Sequence, residues 1–196
     1  MSGPFPDPHH SVESNTIFGF WVYLMTDAIL FATLFATYAV LHNSTFGGPG
    51  ANILLRPSYA LIETIILLSS SLTCGLAMTA VPFGNQKKLI RLYGTTFFLG
   101  ACFLAMVGNE FMQLIASGNG WQRNAFTASY FTLVGTHAVH ILFGMLFTLI
   151  LMVQTVKWGL IPITIRRLEC LKLFWFFSYW IWIFMFAIVY LIGVVK

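Results

Sequence analysis

Charge is what this chain has least of. Its six acidic and ten basic side chains make up only 8% of 196 residues, against about 25% in soluble domains. No water-facing surface can be built from so few. The three cysteines, Cys74, Cys102 and Cys170, are far apart and flanked by apolar residues, which excludes a C-x-x-C metal centre or a disulfide framework and leaves buried packing as their use. No phosphate-binding glycine loop, nucleotide fingerprint or nucleophile with an adjacent base is present. The basic residues lie in short connections rather than in a polybasic tail, so nothing points to nucleic acid as a partner. Period-2 alternation is also missing, which excludes an outer-membrane barrel. No internal repeat is visible, and five spans do not divide into two equal halves as inverted-repeat transporters require.

What the chain does have is hydrophobicity: 58% apolar residues and a mean hydropathy of +0.83. A helix needs about 20 apolar residues to cross about 30 Å of hydrocarbon. Five runs qualify, near residues 17–41, 58–81, 92–116, 126–156 and 170–195. The expected fold is all-α, a polytopic bundle of five transmembrane helices over residues 17–196. Breaks occur at Gly47, Gly48, Pro49 and Gly50, at Pro82, Gly84 and Asn85, and at Gly118 to Gly120. Residues 1–16 hold Pro4, Pro6, Pro8, Asp7, Glu13, His9 and His10 without the basic-then-apolar order of a signal peptide. They read as a flexible cytoplasmic tail, in which two imidazoles make a poor metal site. Lys87, Lys88, Arg91, Lys157, Arg166, Arg167 and Lys172 lie at the second and fourth connections, against Arg56, Arg123 and Lys196 on the other side. Seven against three places the N-terminus in the cytoplasm and the C-terminus in the periplasm.

Against this apolar background, three carboxylates stand inside spans: Asp27, Glu63 and Glu110. Each would cost about 2.5 to 3.5 kcal/mol if left alone at mid-membrane, so each needs a partner, a proton or a job. Tyr23 is four residues before Asp27 and able to donate to it, and Thr26, Thr33 and Thr37 add a polar strip suited to helix contacts. Asp27 is therefore either a proton donor or acceptor, or a protonated acid bonded to a neighbouring helix. Glu63 begins a small-residue stripe through Leu67, Ser70 and Cys74, suited to close packing. Glu110, between Asn109 and Gln113 near the end of its span, reads as an interfacial carboxylate that water reaches.

The fourth span carries Thr136, His137 and His140 in the run GTHAVH. The histidines share a face at i, i+3, but lack the i, i+4 spacing and intervening Glu of the H-E-x-x-H zinc site. Pointing to one side, they do not bracket a haem. A hydrogen-bonded helix contact to Asp27, Glu63 or Glu110 is the better expectation. In the last span Phe174, Trp175, Phe176, Phe177, Tyr179, Trp180 and Trp182 crowd together. Such a cluster reads as a lipid-facing aromatic anchor, with a lipid or quinone cradle as the alternative.

The stretches GFWVYLMTDAILFATLFATYAVL, LIETIILLSSSLTCGLAM, LVGTHAVHILFGMLF and IVYLIG together resemble subunit III of haem–copper terminal oxidases, over about Phe18 to Gly193. They are most like the five-helix subunit III of cytochrome o-type ubiquinol oxidases. The resemblance implies an accessory, non-catalytic subunit of a proton-pumping ubiquinol oxidase in the bacterial inner membrane. Its implied role is to support assembly, lipid binding and stability of the catalytic subunit I. Haem and copper would sit in that partner, none of them bound by this chain, and a cleft between helix groups would hold phospholipid. By the same resemblance Asp27 matches a buried acid linked to stability of the proton-uptake side, while Glu110, His137 and His140 match polar family positions. One departure is plain: where relatives carry a W-H-F-x-D-x-x-W-like run, this chain has Phe176 and Tyr179 in place of the His and Asp, an exchange expected to replace one polar contact by aromatic packing. The alternatives are subunit III of a cytochrome c oxidase and, in another class, an independent proton-coupled transporter.

Overall fold

A computed structural model describes residues 8–45, 47, 50, 54 and 56–192. Five helices account for nearly all of them: α1 Pro8–Leu41, α2 Pro57–Met78, α3 Gln86–Ala116, α4 Ala125–Trp158 and α5 Pro162–Met185. A π-helical segment, Phe186–Ile192, continues α5. Each helix is long and apolar enough to cross a membrane, and no strand occurs among the described residues. The chain is a multi-pass, all-helical membrane protein.

Helix starts follow local chemistry. Pro57 and Pro162 occupy first turns, where a missing N–H is no loss. Asn85 accepts from the Lys88 amide at 3.1 Å to open α3. At α4, Asn124 accepts from the Thr127 amide at 2.7 Å and the Thr127 hydroxyl accepts from the Asn124 amide at 3.4 Å, a reciprocal capping box.

These starts correct several expected boundaries. The helix that begins α1 includes residues 8–16 of the stretch read as a tail; residues 1–7, with Pro4, Pro6 and Asp7, lie outside the described residues, as do Gly48, Pro49, Gly193 and Lys196. Helix α3 starts at Gln86 rather than 92, and α5 at Pro162 rather than 170. The charged residues that suggested loops are instead helical. Arg167 stays on the helix by donating from Nη1 to Gln154 Oε1 at 2.8 Å, and long basic side chains at a helix end extend their charge to the headgroup region. At 34 residues α4 is about 51 Å long, well beyond the hydrocarbon thickness.

The pairings α2 with α3, α3 with α4, α4 with α5 and α5 with α2 close a four-helix ring, and α1 lies outside it against α4 and α5. On α1 the buried positions are Leu24, Asp27, Phe31 and Tyr38, one narrow stripe at helical spacing. Phe18, Ile29 and Val40 are exposed on its other faces.

Packing in the ring relies on small residues opposite large ones. A Cβ at Gly144 would lie 2.7 Å from the Phe174 ring, closer than real contacts, and one at Gly100 would lie a tight 3.0 Å from Trp175, so small residues permit the close approach at both positions. The Ser70 hydroxyl donates to the Thr96 carbonyl at 3.1 Å, and Thr73 and Thr96 hydroxyls meet at 2.8 Å. The stripe Glu63, Leu67, Ser70 and Cys74 is buried along α2, as its small residues suggested.

The last-span aromatics divide. Trp175 and Trp182 are fully enclosed; their indole N–H groups donate to Thr148 Oγ1 at 3.2 Å and to Thr64 Oγ1 at 2.9 Å. Trp180 and Phe176 are exposed. The lipid-facing anchor expected of the whole cluster thus describes only its outer side. Two tryptophans form the core instead, because each finds a threonine acceptor for its N–H within the bundle.

Candidate functional site

The polar residues inside the bundle form two groups. In the first, α1 brings Asp27 against α4, with Asp27 Oδ2 3.4 Å from His140 Nε2. That separation is within ion-pair range but longer than a charge-assisted hydrogen bond, and Oδ2 has no other partner. His140 is oriented by its Nδ1, 3.0 Å from the Thr136 carbonyl. Its ring lies 5.0 Å from Phe31 and stacks over Phe174 at 6.5 Å. Tyr23, one turn before Asp27, approaches the carboxyl from the exposed side of α1. Thr136 spends its hydroxyl on the Thr132 carbonyl at 2.7 Å and bridges to no other helix.

The threonine strip behaves the same way. Thr26, Thr33 and Thr37 donate to Tyr23, Leu30 and Thr33 carbonyls at 2.7, 2.7 and 2.8 Å. The helix contacts expected of them are therefore absent among the described residues. Threonines with no acceptor across the interface bond back to the preceding turn.

The second group lies inside the ring. Glu110 on α3 is nearly buried and its Oε2 accepts from the Tyr190 hydroxyl at 3.1 Å, while Tyr190 and Tyr130 hydroxyls meet at 3.0 Å. The interfacial carboxylate read from sequence is thus half right. Glu110 does line a cavity at the end of α3, but its carboxyl is held by two tyrosines. Glu63 is completely enclosed, with no hydrogen-bond partner at either oxygen, and Glu110, Tyr130 and Tyr190 are its electrostatic neighbours. His137 makes no hydrogen bond through either nitrogen. It stacks on Trp182 at 5.3 Å and meets Phe103 edge-on at 6.0 Å. The two histidines expected to act alike therefore differ: His140 contacts Asp27, and His137 is an aromatic-packing residue.

Tyr130 and Tyr190 escaped the sequence reading. Tyr190 lies in the π-helical segment, where an i→i+5 turn breaks the 3.6-residue register on which face assignments rest. The motif IVYLIG marked the segment, but nothing in it indicated an inward hydroxyl. Phe176 and Tyr179, in place of the family's His and Asp, go to different neighbours. Phe176 faces Gly75 of α2 at 3.5 Å from its Cβ position, and Tyr179 lies 6.4 Å from the Trp180 ring.

Among the described residues, no three His, Cys, Asp or Glu side chains come together as metal ligands. His137 is enclosed by Trp182 and Phe103 and His140 is engaged by Asp27, so neither is disposed to ligate haem. The arrangement offers buried acids, tyrosines and an acid–imidazole contact, suited to tying helices together, with Glu110 also facing a cavity.

Comparison with known proteins agrees in one direction. The profile of the family described as cytochrome c oxidase subunit III matches residues 5–194. The cytochrome bo(3) ubiquinol oxidase subunit 3 of Pseudomonas aeruginosa is 49% identical over 95% of this chain and 90% of its own length. That of Pseudomonas putida is 45% identical, covering 94% and 89%. The cytochrome c oxidase subunit 3 of Bacillus sp. (strain PS3) is 37% identical, covering 97% and 92%. With its five spans and a match over almost its whole length, the chain belongs to the subunit III family of haem–copper oxidases, described as cytochrome c oxidase subunit III.

Proposed function

We propose that the chain is the accessory subunit III of a bacterial ubiquinol oxidase, docked in the inner membrane against the catalytic subunit and taking no direct part in electron transfer. The observation that carries this reading is the 49% identity, over 95% of the chain, to a ubiquinol oxidase subunit 3. The lower identity to a cytochrome c oxidase subunit favours quinol as donor. In this reading haem and copper belong to the catalytic partner. This chain contributes helix packing, a lipid-compatible outer surface and the Asp27–His140 and Glu110–Tyr190–Tyr130 contacts that stiffen it. The exposed apolar faces of α1, with Phe18, Ile29 and Val40, are surface for partner helices or lipid. Grouping of Lys87, Lys88, Arg91, Lys157, Arg166 and Arg167 at the α3 start, α4 end and α5 start supports a cytoplasmic N-terminus.

The test is gentle solubilisation and capture through a tag on this chain. Co-purified haem with quinol-driven oxygen uptake is expected. Capture of a haem-free protein that moves protons alone in liposomes would replace this reading by the transporter.

A further inference from the structure

The end of the bundle where α2 begins and α3 ends holds a partly open cavity of about 360 Å³, lined by leucines and by polar groups that include Arg56, Tyr59, Glu110, Gln113 and Asn119. One turn along α2 from Tyr59, on the same face, stands Glu63, fully enclosed and with both carboxyl oxygens unpartnered. A buried carboxyl left so costs several kcal/mol, and native proteins satisfy such groups with a partner or with ordered water. A buried water needs two to four polar partners. Glu63 has Glu110, Tyr130 and Tyr190 as neighbours, and Glu110 also borders the cavity. Tyr59 lines the same cavity, and its hydroxyl donates to the Met106 carbonyl at 3.2 Å and accepts from Asn109 Nδ2 at 3.4 Å. Its side chain is thereby tied from α2 to α3 in the cavity lining.

We propose that this cavity is an aqueous entrance that hydrates the carboxyl of Glu63, with the Tyr59 side chain as its closure. The ligand is water, entering from the side of the α1–α2 and α3–α4 connections and hydrogen bonding to Glu63 and Glu110 together. Among the described buried carboxyls Glu110 shares this setting and Asp27 does not, since Asp27 meets His140 instead.

The experiment uses the intact oxidase with Cys74, Cys102 and Cys170 replaced by alanine, and measures modification of Glu63→Cys by a charged methanethiosulfonate reagent added in water. Leu67→Cys, one turn deeper on the same buried stripe, is the control. Glu63→Cys is expected to react at least about tenfold faster than the control, faster still with Tyr59→Ala and more slowly with Gln113→Trp. Equal rates for Glu63→Cys and Leu67→Cys would overturn the proposal. Should the substituted chain fail to assemble, a cryo-EM map of the unsubstituted oxidase decides: water density at the Glu63 carboxyl, continued toward Glu110, supports it, and a partner side chain or dry packing there refutes it. The inference relies on the proposed function only in using the oxidase as sample, and loss of co-purified haem would signal failure of that reading separately.

Discussion

Asp27 and Glu110 are both acids within membrane spans, yet they are held in opposite ways. Asp27 sits on a helix outside the ring, buried along one stripe, and meets a single imidazole at 3.4 Å. Glu110 sits inside the ring and accepts from a tyrosine that contacts a second tyrosine, joining α3, α4 and the π-helical segment. The first arrangement attaches one helix to the rest; the second locks three elements to each other. A single buried polar contact adds little net stability but leaves an unpartnered group when one side is removed. Hydrogen-bonded networks of neutral donors add about 1 kcal/mol per bond and fix geometry. Failure at Asp27 should therefore loosen α1 while the ring persists, and failure inside the ring should affect the whole subunit.

The largest expected effect is in the ring. Trp182→Ala removes a fully enclosed side chain, its bond to Thr64 and the stack on His137. A loss of about 3–5 kcal/mol is expected, read as a marked fall in assembled oxidase and in its thermal midpoint. Asp27→Ala comes next. Initial oxygen uptake is expected to stay near normal while the working lifetime during turnover shortens several-fold; an immediate large loss of initial rate would mean that Asp27 takes part in the chemistry. Tyr190→Phe keeps the ring and deletes the donor to Glu110, for about 1–3 kcal/mol. Combined with Tyr130→Phe it should cost less than the sum of the single changes, because both hydroxyls belong to one network. Smallest is Thr33→Val with Thr37→Val, expected within about 0.5 kcal/mol since both hydroxyls bond their own helix. A larger effect on co-purification of the catalytic subunit would show that this face of α1 is covered by the partner and would bring the two regions closer in importance.

Spacing along one helix carried the sequence reading a long way. For the GTHAVH face, spacing left Asp27, Glu63 and Glu110 as alternative partners; the five spans and the buried stripe from Glu63 to Cys74 were legible, because each follows from apolar run length or from i, i+3 and i, i+4 neighbours. Contacts between distant segments were not. Tyr190 reaches Glu110 across 80 positions of sequence and from a π-helical segment that shifts the register. The tryptophans show how a boundary error propagates. With α5 starting at 170, Trp175 falls near the headgroups; with the observed start at Pro162, it lies about 20 Å along the helix, deep enough to be core. His137 and His140 looked equivalent because their difference comes from which helices lie opposite, Trp182 of α5 for one and Asp27 of α1 for the other.

The central claim, that this chain supports the oxidase through packing rather than through redox chemistry, is tested most directly by comparing purified oxidase with and without it. Quinol-driven oxygen uptake would be followed from the first turnovers to inactivation. The account predicts similar initial rates, unchanged haem spectra and a much shorter lifetime without the chain. An initial rate that collapses at once with haem still fully present, or a lifetime that does not change, would contradict it.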